Sequence, residues 1–191
     1  MTRLFNNPAD FADESAAGFA AANARWVRRV PGGVVRRSKD PGKVAVVIGG
    51  GSGHYPAFAG LVGPGLAAGA AMGNLFASPS TQQIESVATA ADQGAGVLFS
   101  YGNYAGDVLN FDAAQASLNA TGIPTSTVTV TDDISSAGID ELAKRRGIAG
   151  GLFVYKCAAA AADRGDTLEQ VTAVAARANA RTRSFGVAFS G

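Results

Sequence analysis

Cysteine is almost absent from this chain of 191 residues. The single one, Cys157, excludes an internal disulfide framework. Histidine is also single, and His54 alone excludes a zinc site built on several His or Cys ligands. An excess of charge of either sign is missing: 16 Lys+Arg against 15 Asp+Glu leave +1. With no strong field to attract a polyanion, neither nucleic acid nor an anionic membrane is an expected partner. No apolar run approaches the roughly 20 residues of a membrane span without a glycine or polar break. The opening MTRLFNNPADFADE lacks the basic-then-apolar order of a signal peptide. A reduced, cytoplasmic setting is the expectation.

Aromatic residues make up 8% and charged residues 16%, while apolar residues reach 47%. That is enough to bury one sizeable core, filled mostly by close-packed Ala, Val, Leu and Gly. Glycine is the residue in excess, at 25. Each glycine inside a helix or strand costs about 1 kcal/mol relative to alanine, so many should lie in turns or where a group approaches the backbone closely.

Asn7-Pro8 followed by a periodic apolar set from Phe11 to Ala24 predicts a capped amphipathic helix ending near Trp26. Val27 to Arg37 reads as two edge strands around Pro31-Gly32-Gly33, with their basic residues facing water. Lys43 to Ile48 is a short buried run of parallel-strand type, opening into Gly49-Gly-Gly-Ser-Gly-His54-Tyr-Pro56. A short helix over 57–62 follows, then a weak strand over 66–72 and a helix capped by Ser78-Pro79-Ser80. Gly96 to Ser100 is a second buried strand, followed by the loop Tyr101-Gly-Asn-Tyr-Ala-Gly-Asp107 and a helix to Ala120. Thr125 to Val130 is a third strand, ending at Asp132-Asp133. After a charged connection over 140–150 come two Ala-rich helices, 151–164 and 167–180, and a final strand over 184–189. Apolar strands alternating with helices predict one α/β domain over 1–191, a three-layer sandwich with a mostly parallel, mixed-edge central sheet. Ligands of such sheets bind beyond the carboxyl ends of the strands, where both unusual loops fall.

The Gly49–Gly53 cluster offers backbone N–H groups unobstructed by Cβ atoms, suited to an oxygen-rich ligand; it equally suits a tight strand-to-helix turn. It is neither a Walker A loop, since no Gly-Lys-Ser/Thr follows, nor a dinucleotide fingerprint, since His54 stands where a third glycine belongs. His54 carries an imidazole, a group that can exchange a proton with a substrate oxygen at neutral pH, or it can be a surface or capping residue. Asp107 is either the base that deprotonates an attacking hydroxyl or a helix N-cap. Asp132-Asp133 reads as a turn, Cys157 as a packed thiol and Lys144-Arg145-Arg146 as a solvated face. No metal site is expected.

Taken together, Gly49-Gly-Gly-Ser-Gly-His54-Tyr-Pro56, Gly73-Asn-Leu-Phe-Ala-Ser-Pro-Ser80 and Asn103-Tyr-Ala-Gly-Asp-Val-Leu-Asn-Phe111 closely resemble the substrate-binding K domain of the dihydroxyacetone kinase family. The opening MTRLFNNPADF and the segment from Thr131 to Gly150 fit as well. The resemblance implies the fold of that domain's amino-terminal half and a pocket for a short ketose, dihydroxyacetone or erythrulose, phosphorylated on a terminal hydroxyl. It implies substrate contacts from Gly51, Ser52, Gly53 and His54, with His54 in an acid/base role and Asp107 as base. Gly102 stands where the family often has lysine, and Tyr55 where other members carry an acid, which resembles the erythrulose branch.

Family members also tether the ketose on a second histidine in a following domain. With His54 as its one histidine, this chain reads as the amino-terminal half of a K-type protein, either a fragment or a shortened homologue. By the same resemblance the chain binds no cofactor itself. ATP-Mg or a phosphorylated partner acts from a separate helical nucleotide-binding domain or subunit, and the K domains form a homodimer. A non-catalytic ketose-sensing module is the alternative.

Overall fold

The computed structural model describes residues 6–189, so Met1 to Phe5 of the opening motif and Ser190-Gly191 lie outside it. Asn7 caps a 3-10 turn over Pro8–Asp10, its Oδ1 accepting from the Ala9 N–H at 3.1 Å. Helix α1 (Phe11–Ala22) follows. It stops four residues before Trp26, because the Asn23 side chain donates to the Phe19 carbonyl and the Asn23 carbonyl takes the N–H groups of Trp26 and Val27.

The strands are β1 (Val27–Val30), β2 (Gly33–Arg36), β3 (Ala45–Gly51), β4 (Gly69–Gly73), β5 (Val97–Gly102) and β6 (Thr125–Val130). They form a six-stranded sheet in the order β1-β2-β4-β3-β5-β6. β4, β3, β5 and β6 run parallel, while β1–β2 and β2–β4 are antiparallel. The expected mixed-edge α/β sandwich is therefore the observed fold. Helices α2 (Thr81–Ala91) and α3 (Ala105–Ala120) cover one face, and α4 (Gly151–Arg164) and α5 (Leu168–Arg181) cover the other. Alternate strand residues serve the two layers: Val46, Ile48 and Leu98 pack toward α4 and α5, and Val47, Phe99 and Tyr101 toward α2 and α3. Both faces are dry, which is why these strands read as continuous apolar runs.

Two helices begin with reciprocal caps, Ser80 with Gln83 and Thr167 with Gln170. The segment expected to be helical over 57–62 forms only a 3-10 turn, Ala59–Leu61.

Three local expectations are corrected. Only β1 is an edge strand in the β1–β2 hairpin: β2 is buried along its length, and Arg36 is buried with it. Its guanidinium reaches Asp40 at 3.0 Å and the Gln93 Oε1 at 3.1 Å instead of water. Among the described residues no strand forms over 184–189. Ser184 makes an isolated bridge to Asp133, beyond the end of β6, so the residues after it have no ladder to join and Phe189 is 91% exposed. Cys157 lies on the outward face of α4 and is exposed, not packed.

Candidate active site

The parallel strands β3, β5 and β6 deliver their carboxyl ends to one side of the sheet, and a cavity of about 460 Å³ opens there. Its wall includes His54, Phe58, Gly102, Tyr104, Asp107 and Tyr155. His54 and Asp107, 53 positions apart by subtraction of their numbers, thus share one cavity.

The glycine run builds its part differently from the sequence expectation. Gly49, Gly50 and Gly51 belong to β3 and pair with Ala71, Met72 and Gly73 of β4. Beyond them, the Ser52 N–H donates to the Asn74 carbonyl at 3.2 Å and the Gly53 N–H to the Leu75 carbonyl at 2.7 Å. A Cβ on Gly51 or Gly53 would lie 2.6 or 2.5 Å from the Leu75 carbonyl oxygen. The close approach that calls for glycine here is therefore by the chain segment 74–75, which consumes the N–H groups of Ser52 and Gly53. Gly51, Ser52 and Gly53 are not among the residues of the cavity wall, and the Ser52 Oγ is buried without a partner. Gly50 has its own reason: a Cβ there would come within 2.3 Å of the Phe58 ring, which crosses the strand end. Phe58 in turn meets the His54 imidazole edge-on, at 5.8 Å between centroids. His54 sits in the 3-10 turn Ser52–His54, exposed at the cavity mouth.

Asp107 is the third residue of α3, whose N-cap is Tyr104, and no side chain caps that helix. The N-cap alternative for Asp107 therefore lapses. Its Oδ1 is sealed from solvent and has no hydrogen-bond partner. A buried acceptor left unpaired costs about 1–3 kcal/mol, more when charged, so this carboxylate is not held for stability alone. Burial pushes the Asp107 carboxyl above its usual range, and the Ser78 hydroxyl and His54 pull it partly back. Asn110 fixes Ser78 from one turn further along α3, donating to its Oγ at 3.2 Å and to the Pro79 carbonyl at 2.9 Å.

The opposite wall comes from 147–151. Asp132 is wholly buried, and its carboxylate accepts from the Ile148 N–H at 2.9 Å, the Gly150 N–H at 2.8 Å and the Ser184 hydroxyl. Asp133 accepts from the Ser135 N–H and hydroxyl, forming the expected turn. Asn103 donates to the carbonyls of Ala143 and Arg145, tying the β5 end to this segment. Arg145 is buried, its Nε donating to the Ala137 carbonyl at 3.0 Å, which corrects the solvated reading of 144–146. The 3-10 turn Ile139–Lys144 brings the chain back over its own connection, so only its neighbours remain outside.

Ser78, Asn110, Asp132 and Tyr155 were not singled out by sequence reasoning as site residues. The first two do lie inside the quoted motifs, and Tyr155 carries one local sign, a glycine four residues earlier on the same helix face. Among the described residues no group of three or more His, Cys, Asp or Glu is placed to hold a metal ion. No helix there is long and apolar enough to cross a membrane. A free carboxylate oxygen, an imidazole and a phenol around a space of this size can bind a small polyol and withdraw a proton from one of its hydroxyls.

The Dak1 domain family matches residues 17–191. Over its full length the chain is 65% identical to the L-erythrulose kinase of Pectobacterium atrosepticum, covering 32% of that protein. It is 43% identical, again over its full length, to the dihydroxyacetone-binding subunit DhaK of PTS-dependent dihydroxyacetone kinase 2 from Listeria innocua, covering 58% of it. The crystal structure of the dihydroxyacetone kinase from C. freundii in complex with AMP-PNP and Mg2+ superposes with a TM-score of 0.86 at 34% identity. That match covers 94% of this chain and 34% of the other. The chain thus spans between about a third and three fifths of the length of these relatives.

Proposed function

This chain belongs to the Dak1 domain family, and from that membership we propose that it is the substrate-binding part of a kinase acting on the terminal hydroxyl of a short ketose. The observation that carries the reading is that Asp107, whose carboxylate is partly buried and has one oxygen unpaired, lines the same cavity as His54. The ketose hydroxyl donates to Asp107, whose carboxylate takes the proton as the hydroxyl oxygen forms its bond to phosphorus and the bond from phosphorus to the donor breaks. A carboxyl raised by burial is a better proton acceptor than an ordinary aspartate, which suits this role. His54, at the mouth, hydrogen-bonds a second sugar oxygen and exchanges its proton, and the segment Gly51, Ser52, Gly53 holds it there.

The cavity wall carries no lysine or arginine among the described residues, so nothing in it is suited to neutralise a triphosphate. The phosphoryl donor, ATP-Mg or a phosphorylated protein, is therefore assigned to a separate helical domain or subunit. Residues 1–191 form one α/β domain, the amino-terminal half of the K region, working in the cytoplasm as a homodimer whose following domain supplies the histidine that tethers the ketose. Erythrulose is the favoured ketose, on the 65% identity to an L-erythrulose kinase.

The test is to incubate the full-length natural polypeptide carrying these residues with each donor and with dihydroxyacetone or erythrulose. A ketose phosphate is expected. Folded protein that phosphorylates neither sugar with either donor overturns the reading.

A further inference from the structure

Tyr155 is a large polar side chain in a helix otherwise dominated by alanine, and its ring lies in the layer between the sheet and α4. The residue is 3% exposed, yet it lines the cavity. The tip of the ring is what reaches the wall. A Cβ on Gly151, itself a wall residue, would lie 2.9 Å from the Tyr155 hydroxyl oxygen and 3.0 Å from Cζ. Gly151 is thus glycine so that the phenol can stand beside it, one helical turn away at i and i+4.

The other buried phenol behaves differently. Tyr101 lies in the opposite layer, stacked on Phe111 at 4.1 Å between centroids, with a hydroxyl sealed from solvent and without a partner. Tyr101 is absent from the cavity wall. Of the two buried phenols, Tyr155 is the one on the wall of the space shared by His54 and Asp107.

We propose that the Tyr155 hydroxyl is a specificity-determining substrate contact, donating a hydrogen bond to the hydroxyl that a four-carbon ketose carries beyond the three carbons of dihydroxyacetone. The inference rests on the reading of the cavity as a ketose site. The cavity, about 460 Å³, has room for the additional carbon of a four-carbon ketose. Burial and the negative charges of Asp132 and Asp107 keep the phenol protonated far above neutral pH, so it remains a donor while Asp107 acts as base. A site that hydrogen-bonds a substrate hydroxyl discriminates against the analogue lacking it, because its own polar group is then left unpaired.

The experiment compares wild type and Tyr155→Phe in the full-length natural polypeptide with its phosphoryl donor, measuring kcat/KM for erythrulose and for dihydroxyacetone. The substitution removes one oxygen and keeps the ring, and matching melting curves check that the fold is retained. The ratio of kcat/KM, erythrulose over dihydroxyacetone, is expected to fall about tenfold, the worth of one hydrogen bond, chiefly through KM for erythrulose. A ratio unchanged within about twofold overturns the assignment of Tyr155, whether both values fall together or neither does. Wild type inactive on both sugars instead overturns the ketose-kinase reading, and this inference with it.

Discussion

Two aspartates follow neighbouring strands on the same side of the sheet, Asp107 after β5 and Asp132 after β6. Asp132 is wholly buried and accepts from two backbone N–H groups and a hydroxyl. It organises the loop 147–150 and the entry to α4. Asp107 is less buried as a residue, yet its Oδ1 is sealed and unpaired. The two carboxylates are equally polar, and what separates them is satisfaction. A buried carboxylate whose acceptor positions are filled by its own chain contributes to stability, while one left open has its binding capacity in reserve for a ligand.

That contrast is most open to attack through activity. Asp107→Asn in the full-length protein should lower turnover on a ketose by about 10²–10⁴-fold, the usual contribution of a positioned base. Its melting temperature should not fall, since no backbone group loses a partner. Steady-state kinetics beside a melting curve check both halves, and an Asn variant as fast as wild type removes Asp107 from the chemistry.

Asp132→Ala should do the reverse. It strands the N–H groups of Ile148 and Gly150, the second of them buried, and a loss of about 2–5 kcal/mol in unfolding free energy is expected by urea titration. A loss below about 1 kcal/mol would mean that the loop holds itself.

A third, smaller effect belongs to the glycine segment. Gly53→Ala places a Cβ 2.5 Å from the Leu75 carbonyl oxygen. Relieving that overlap should cost about 1–3 kcal/mol. Gly42→Ala provides a contrast, because Gly42 has a positive φ but open space around it, so any loss there comes from the backbone alone.

The smallest effect is a pH dependence. Burial raises the folded-state pKa of Asp107 above its unfolded value, so the folded chain binds that proton more tightly than the unfolded chain. Asp107 therefore costs the wild type stability at neutral pH, and the cost disappears as pH falls below the unfolded value of about 4. Asp107→Asn should accordingly be the more stable protein at pH 7, with the gap closing toward pH 3. Melting temperatures across that range would show it, and a gap that widens on acidification would mean the carboxyl is stabilised as an anion after all.

Much of the architecture is legible in the amino-acid sequence because it rests on local signals. The apolar runs at 44–48 and 97–100 are strands buried on both faces, and the Ser80 and Thr167 caps start helices where side chains meet nearby backbone. What is not legible depends on partners far along the chain. Nothing near Gly53 says that Leu75 will consume its N–H group, and nothing near Arg36 says that β4 will enclose β2. The apolar alternation at 184–189 has the period of a strand, but period alone supplies no neighbour.

At the site, His54 and Asp107 stand out because they sit in glycine-rich turns at strand ends. Ser78, Asp132 and Tyr155 reach the same place from other elements. Tyr155 in particular is one phenol in an alanine-rich helix, and only the Gly151 notch beside it makes its orientation matter.

The account turns on what fills the open acceptor of Asp107, and the crystal structure of the full-length protein with its ketose bound measures that directly. The reacting terminal hydroxyl should lie within about 2.6–3.2 Å of an Asp107 carboxylate oxygen, with His54 on a second sugar oxygen. A sugar bound elsewhere, with Oδ1 engaged by a group of the protein itself, would contradict it.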